Sequence, residues 1–502
     1  MRGKRFTRRR AVAGSAALAA LVGQGGWWCS GRADDAAAVP PVDEVSVAIL
    51  GCGIRGPAHA EELAGRHGAR ITWVCDPDRG RAEKLADQIA TKQGPRPRVA
   101  SDLRTPLDDA SLDIVTVATP NHWHALAAIL AMEAGKDAYV EKPVCHSIEE
   151  GQRLAATACR LGRVCQGGTQ ARSLPCLREA RAFLAAGGIG QPTIARMLYT
   201  SHRAPIGGPG GFQPPPGINY DLFCGPASLA PLTRPQFHYD WHWFWPTGDG
   251  DLGNNGIHFL DAARNMLDLS GPGSATLSFG TRSGYADAAE TPHTQTSLTL
   301  FPEVTLVTEI RNLKDVADVA GLGMGIQIHG TEGSVVWKAH SPEVVVLDPA
   351  GMPVKTLSGE GNHFANHVAN FLAAVRARDP QRLTAEIGEG VQSTALCHLG
   401  NISYRLGTEL PFASIVARIA AREPKDDAAQ LVDRVRRMLV ANGCEPAGGT
   451  IRCGEWVETA AGKGTSAQAL AAESGPVLVA GPARDLERLE YRAPFRLPPA
   501  RG

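Results

Sequence analysis

The strongest constraint on the fold is a glycine pattern lodged between a strand-like run and a helix-like run. Val45 to Leu50 is short and rich in β-branched residues, it stops at Gly51-Cys52-Gly53-Ile54-Arg55-Gly56, and Pro57 to Arg66 then reads as helix. In a strand, turn and helix of this kind each glycine has a task. Gly51 permits the tight turn, Gly53 lets backbone approach a diphosphate, and Gly56 lets the helix pack closely on the sheet, while the helix N-terminus attracts phosphate charge. Asp76 ends the next apolar run, about twenty residues on, where a carboxylate accepts from ribose hydroxyls and repels a 2′-phosphate. The pattern predicts a dinucleotide site with NAD favoured over NADP, a preference that Arg79 and Arg81 weaken.

The alternation continues. Ile71 to Cys75, Ile114 to Ala118 and Ala138 to Val140 read as strands, and Arg79 to Ala90 and Ala125 to Ala134 as helices, the second closed by Gly135. Such βαβ units predict a parallel sheet. After about residue 170 the rhythm changes: the alternating segments Ala275 to Phe279, Thr294 to Phe301, Val304 to Arg311, Gly325 to Gly330, Gly333 to Lys338 and Glu343 to Asp348 predict a largely antiparallel sheet. Asn362 to Arg378 and Glu386 to Leu406 return to helix. The expected class is therefore α/β, with a doubly wound Rossmann domain over residues 45–168 and a second α/β domain with an open, largely antiparallel sheet over 169–410. Residues 411–502 form an extension, with a helix from Asp426 to Asn442 and a low-complexity insertion near 444–482.

Charge excludes some partners. The chain has 51 basic and 51 acidic residues and no basic stripe in its folded part, so nucleic acid is not expected and a small molecule is. Residues 1–38 read as a targeting segment: Arg2, Lys4, Arg5 and Arg8-Arg9-Arg10 run into the apolar stretch Ala11 to Val22, and Ala36-Ala37-Ala38 offers a cleavage site. The paired arginines suggest the twin-arginine route and a periplasmic or otherwise exported protein, although Ala11-Val12 departs from the usual bulky residue after the pair. The apolar run is too short and too rich in small residues for a stable membrane span in the mature chain. Cys52, Cys75, Cys145, Cys159 and Cys165 read as buried thiols, and Cys444 and Cys453 are spaced so that they could pair. No Cys-x-x-Cys pair supports a metal site, and His122 and His124 lack a companion carboxylate.

Val140-Glu141-Lys142-Pro143 ends a parallel strand, where open α/β sheets present their ligands. Pro143 biases Lys142 toward an extended or turn conformation at the crevice edge, although the lysine reads equally well as a surface cation. Trp241, Trp243 and Trp245 suit either sugar stacking or packing, and Trp123 reads as a wall of the cofactor crevice.

Taken together, Gly51-Cys52-Gly53-Ile54-Arg55-Gly56, Ala118-Thr119-Pro120-Asn121-His122-Trp123-His124, Glu141-Lys142-Pro143 and Gly256-Ile257-His258-Phe259-Leu260-Asp261 resemble the Gfo/Idh/MocA oxidoreductases in order and spacing. The similarity runs from about Val45 to Leu406 and is closest to a secreted subgroup, through Tyr220-Asp221-Leu222-Phe223-Cys224-Gly225-Pro226 and the block Trp241-His242-Trp243-Phe244-Trp245. The resemblance implies a sugar or cyclitol oxidoreductase with tightly held NAD, NADP being the less favoured cofactor, and a homo-oligomer built on the open sheet. It assigns Gly51, Gly53, Ile54, Arg55, Gly56, Asp76, Thr119, Pro120, Asn121, His124, Glu141 and Lys142 to the cofactor, and Lys142 and His258 to the reacting hydroxyl. Many members carry aspartate four residues before the histidine; here that position is Asn254, with Asp251 three residues earlier and Asp261 one turn after the ring. Asn254 and Asp261 are candidates for orienting His258. A glycoside hydrolase or lyase using bound NAD transiently and a non-catalytic sugar-binding protein are the competing functions.

Overall fold

The computed structural model describes residues 44–314, 322–422, 424–446, 448–459 and 491–498. The targeting segment and most of the expected insertion lie outside these residues.

Six strands build the first sheet: β1 (Val45–Leu50), β2 (Ala69–Cys75), β3 (Arg98–Ala100), β4 (Ile114–Val117), β5 (Asp137–Val140) and β6 (Cys165–Gly167). Their order is β3-β2-β1-β4-β5-β6, and every pairing is parallel. This is the doubly wound Rossmann arrangement, and the order in which strands are added reverses between β1 and β4, which opens a crevice beyond their C-terminal ends. Gly51 and Thr119 follow those two strands and stand on either side of the crevice. The strands lack polar alternation because both faces are covered: β1 and β4 are buried along their whole length. β3 and β6 have three residues each, too few to show a period in the sequence.

One cover of this sheet comes from far along the chain. The helix His363–Ala377 places Val368, Phe371, Leu372 and Val375 in the same core as Val47, Ile49 and Tyr139. Asn362 caps it by accepting from the amides of Phe364 and Ala365, and Arg378 ends it in the left-handed conformation.

The second sheet holds β7 (Pro192–Thr200), β8 (Ala275–Thr281), β9 (Thr294–Leu300), β10 (Thr305–Arg311), β11 (Gly325–Gly330), β12 (Gly333–Lys338), β13 (Glu343–Leu347), β14 (Pro353–Ser358), β15 (Thr408–Pro411), β16 (Thr450–Cys453) and β17 (Val457–Glu458). The order is β14-β13-β12-β11-β7-β10-β9-β8-β16-β15 with β17 also on β8, and only β7 with β10 is parallel. Its inner face packs on the helices Pro175–Ala185, Ile257–Met266 and Ile387–Leu406. Ile387–Leu406 also touches the first sheet through Ile387 and Val391, so it is wedged between the two sheets.

Three expectations change. Residues 450–458 are not part of a low-complexity insertion: β16 and β17 extend the sheet from β8, with Ile451 and Cys453 turned into the core. The sheet is also less open than expected, because the helices Phe412–Ala420 and Ala428–Ala441 cover the outer face of β8 to β10 through Ile415, Ile419, Leu431, Val435 and Met438. Cys444 and Cys453 remain free thiols, whereas Cys159 is the one described cysteine in a disulfide.

Candidate active site

The glycine turn sorts into glycines the fold demands and one it does not. Gly51 has φ +93°, and a Cβ there would lie 2.4 Å from the Ala118 carbonyl oxygen. At Gly56 a Cβ would come within 2.1 Å of the Gly51 oxygen. A Cβ on Gly53 would meet only the flexible tip of Arg81, at 3.3 Å. Among the described residues nothing else stands near position 53, which leaves room for a group that approaches the backbone. Beside the turn the hydroxyl of Thr119 is buried without a hydrogen-bond partner, while Pro120 caps the helix Asn121–Glu133. An open cradle and an orphaned hydroxyl beside it fit a dinucleotide diphosphate and ribose.

The surrounding assigned residues mostly build the cradle. Asp76 accepts from the amide of Cys52 at 2.7 Å and that of Asp78 at 2.8 Å, so it braces the turn while each oxygen keeps a further lone pair for a ribose hydroxyl. Burial raises its pKa. Ile54 is 74% exposed at the lip of the turn. Arg55 turns inward, its Nη2 2.8 Å from Glu141. Glu141 also accepts from His59 at 2.9 Å, and against the penalty of burial these partners hold its carboxyl well below the usual range.

His124 bridges the two strand ends, with Nδ1 2.6 Å from the Pro143 oxygen and Nε2 2.8 Å from the Thr119 oxygen. Asn121 donates to Asp249 at 2.7 Å, fastening the segment that runs into the turn Leu252–Gly256. Asp249 is paired with His146 at 3.0 Å; burial opposes the charge, yet Asp249 lifts the imidazole to about 9. Trp123 does not line the crevice as expected. Its indole is buried against Phe495, with Nε1 donating to the carbonyls of Leu222 and Phe223.

Lys142 faces the second domain. Its Nζ donates to the main-chain oxygen of Asn254 at 2.6 Å and to its Oδ1 at 3.2 Å. An ammonium has three N–H donors, so one remains for a ligand in the crevice. Burial lowers the amine to about 8. Asn254 lies in a π-helical turn, Leu252–Gly256, that leads into the helix Ile257–Met266. Such wide turns re-aim side chains, and here the turn sends Asn254 to the lysine instead of to His258. The His258 ring is half-buried and has no hydrogen-bond partner among the described residues; burial, then the Lys142 charge, lower it to about 3, so it is a neutral imidazole. Asp261 is fully buried and committed elsewhere, to Arg172 at 2.9 Å and the Ser393 hydroxyl at 2.6 Å.

Two residues at this site were given no role by the sequence. Asp251 lies beneath Asn254, with Arg203 Nε at 2.6 Å. His242 has Nδ1 2.6 Å from the Tyr239 oxygen and a ring stacked on Trp241 at 3.6 Å. A carbonyl only accepts, so Nδ1 carries the proton and Nε2 presents a lone pair. Burial and the nearby Lys142 charge hold this ring at about 3. Among the described residues no group of His, Cys, Asp or Glu is placed to hold a metal, and no helix is long and apolar enough to cross a membrane.

Comparison with known proteins agrees with the geometry. Residues 45–169 match the family GFO_IDH_MocA, described as oxidoreductase family, NAD-binding Rossmann fold. The scyllo-inositol 2-dehydrogenase (NAD(+)) of Bacillus subtilis (strain 168) is 32% identical over 163 residues, covering 32% of this chain and 46% of that protein. An alpha-N-acetylgalactosaminidase of Shewanella oneidensis is 33% identical over 140 residues, covering 27% of this chain and 30% of that protein. The chain thus aligns with less than half the length of these relatives. Among solved structures, a levoglucosan dehydrogenase in complex with NADH and levoglucosan shares the fold with a TM-score of 0.53 at 21% identity, covering 71% of this chain and 96% of that one. The stretch from Val45 to Thr169 matches the NAD-binding Rossmann domain of the Gfo/Idh/MocA oxidoreductase family.

Proposed function

We propose that the protein is an NAD(P)-dependent oxidoreductase that moves hydride between a sugar or cyclitol carbinol carbon and a tightly held nicotinamide, NAD being preferred. The observation that carries this reading is the Lys142 amine, fixed by two of its donors to Asn254 with the third left for a substrate oxygen, beside a glycine turn open to a diphosphate. The bound nicotinamide supplies the hydride acceptor. Gly51, Gly53 and Gly56, with Thr119 and Asp76, hold the dinucleotide. Lys142 in its ammonium form steadies the developing alkoxide, and the neutral ring of His258 takes the hydroxyl proton. The dehydrogenase relative and the sugar-bound structural neighbour support the substrate class. We propose further that the paired arginines Arg8 and Arg9 send the folded protein out of the cytoplasm with its cofactor, and that it forms a homo-oligomer; the part of the second sheet left for contact is β11 to β14, beyond the covered strands.

A second reading has a specific observation behind it. Glycosidases stand among the relatives beside the dehydrogenase, and His242 and His258 give the site two neutral imidazoles, as a redox-neutral cleavage with more than one proton transfer requires. Incubating purified protein with a panel of sugars, cyclitols and glycosides, read together for nicotinamide absorbance and product mass, tests both. Net reduction of the cofactor supports the oxidoreductase; bond cleavage without net absorbance change supports the second; protein that neither contains nor binds a dinucleotide overturns both.

A further inference from the structure

Where many members of the family that the sequence resembles carry an aspartate, four residues before His258, this chain has the amide Asn254. The structure accounts for the exchange. Asp251 is 1% exposed and is the point where four side chains converge. Its Oδ1 accepts from Asn255 at 2.6 Å, from Arg203 Nη2 at 3.0 Å and from Asn254 Nδ2 at 3.4 Å; its Oδ2 accepts from Arg203 Nε at 2.6 Å and from Asn312. A carboxylate offers no proton, so the Asn254 amide must turn its NH₂ toward Asp251. Its oxygen is thereby left facing Lys142, where it accepts at 3.2 Å. The chain of contacts runs from ammonium to amide to carboxylate.

Local backbone makes the relay possible. Gly253 sits so close to Asp249 that a Cβ would lie 2.4 Å from the aspartate Cβ, and this crowding accompanies the π turn that stacks Asn254 over Asp251. An aspartate at 254 would set its charge directly on the lysine; the arrangement seen here keeps the same charge one amide away and shares it with Arg203. The charged groups acting on Lys142 are Glu141, Arg55, Asp251 and Arg203, while His242 and His258 lie in its field as neutral rings.

We propose that Asp251 is a positioning residue for Lys142, acting through Asn254, whose amide passes the direction and the charge of the buried carboxylate to the amine. The proposal rests on the reading of Lys142 as the substrate-facing cation, but its test need not. The pH dependence of acylation of Lys142 by a water-soluble amine reagent, followed by peptide mass in the NAD-loaded protein, reports the amine directly, without turnover. Asp251→Asn should move the half-labelling pH of Lys142 down by about one unit, since an opposite charge within reach of an amine shifts it by roughly that amount. The double exchange Asp251→Asn/Asn254→Asp, which returns the carboxylate to the lysine, should bring the labelling pH back to or above the wild-type value, and should recover turnover lost in the single variant mainly in kcat. A structural role alone would lower the melting temperature of Asp251→Asn without moving the labelling curve, and the double exchange would worsen it. If Asp251→Asn retains its circular dichroism and NAD binding but labels Lys142 with the wild-type pH dependence, the relay is overturned. Should Asp251→Asn not fold, Asn254→Leu, which breaks the relay and leaves the carboxylate paired with Arg203, must still lower kcat at least tenfold, and wild-type kcat in that variant overturns the proposal as well. Labelling that shifts as expected in a protein with no activity on any sugar would sustain the relay and remove the functional reading.

Discussion

Substituting the three glycines of the turn one at a time separates what the fold needs from what a ligand needs. Gly51→Ala forces an L residue to φ +93° and sets its methyl 2.4 Å from the Ala118 oxygen. The conformational cost is about 1–2 kcal/mol, and the overlap adds about 1–3 kcal/mol. Gly56→Ala meets the Gly51 oxygen at 2.1 Å and incurs the overlap cost without the conformational one. Gly53→Ala is different: its only near neighbour is the Arg81 tip at 3.3 Å, which can swing aside, so stability should change by no more than about 0.5 kcal/mol. A methyl there would still hold a diphosphate away from the backbone amides. Hydrogen bonds to a charged group are worth about 1.5–3 kcal/mol, so losing one weakens NAD binding roughly ten- to hundredfold. Thermal melting paired with calorimetric NAD titration gives both numbers. The expected pattern is Gly51→Ala and Gly56→Ala unstable, with Gly53→Ala as stable as the parent but poor at binding. A Gly53→Ala protein that binds NAD with parental affinity would refute the reasoning, because the open cradle would then have no occupant near its backbone.

Other outcomes follow from the charges. With the amine of Lys142 near 8, kcat/KM for alcohol oxidation should fall as pH rises through about 8; Lys142→Arg, which stays charged, should carry that fall beyond pH 10, and a limb left near 8 would assign it to another group. His146 is raised in the folded state to about 9, so its pairing with Asp249 stabilises the fold fully below its unfolded value near 6.5 and fades as pH rises through about 9. Melting temperature should accordingly decline across that window, and Asp249→Asn should flatten the decline; an equal slope in both proteins would contradict the pairing. His242→Phe should lower kcat/KM for sugars about tenfold or more, the scale of a lost hydrogen bond to substrate, with NAD affinity unchanged. Equal kcat/KM in that variant would place the Nε2 lone pair outside the reaction.

Sequence reading reached the parts of the site that local chemistry dictates. Gly51, Gly53 and Gly56 gain their meaning from lying between a strand and a helix with Asp76 following, whereas Lys142 after β5 reads equally well as a surface cation and is singled out by the family resemblance alone. Asp251 could be read only as a carboxylate three residues away from the place where the family's aspartate is expected, because a π turn shifts the helical count without any mark in the residues beyond Gly253 and Gly256. His242 is hidden inside an aromatic block that packing explains equally well; its tautomer depends on a carbonyl three residues away, which only coordinates reveal. Trp123 misled because helix position alone does not say which side of the crevice an indole takes, and Leu222, Phe223 and Phe495 decide it. β16 and β17 were missed because four and two residues carry no period, and their membership of the sheet is conferred by β8.

The helix His363–Ala377 has an implication for how the molecule is assembled. The homology boundary near residue 169 is a boundary of ancestry and not of folding, since Val368, Phe371 and Leu372 close the hydrophobic layer over Ile49 and Tyr139 from some two hundred residues downstream. A ribosome that has released only the nucleotide-binding half has released a sheet whose one side carries the helices Arg55–Leu63 and Arg79–Gln93 but still lacks the third helix of that layer. The cofactor cleft therefore becomes rigid late, after nearly the whole of the second sheet has been made, and a fragment cut at the homology boundary should be recovered as an aggregate instead of a miniature NAD-binding protein.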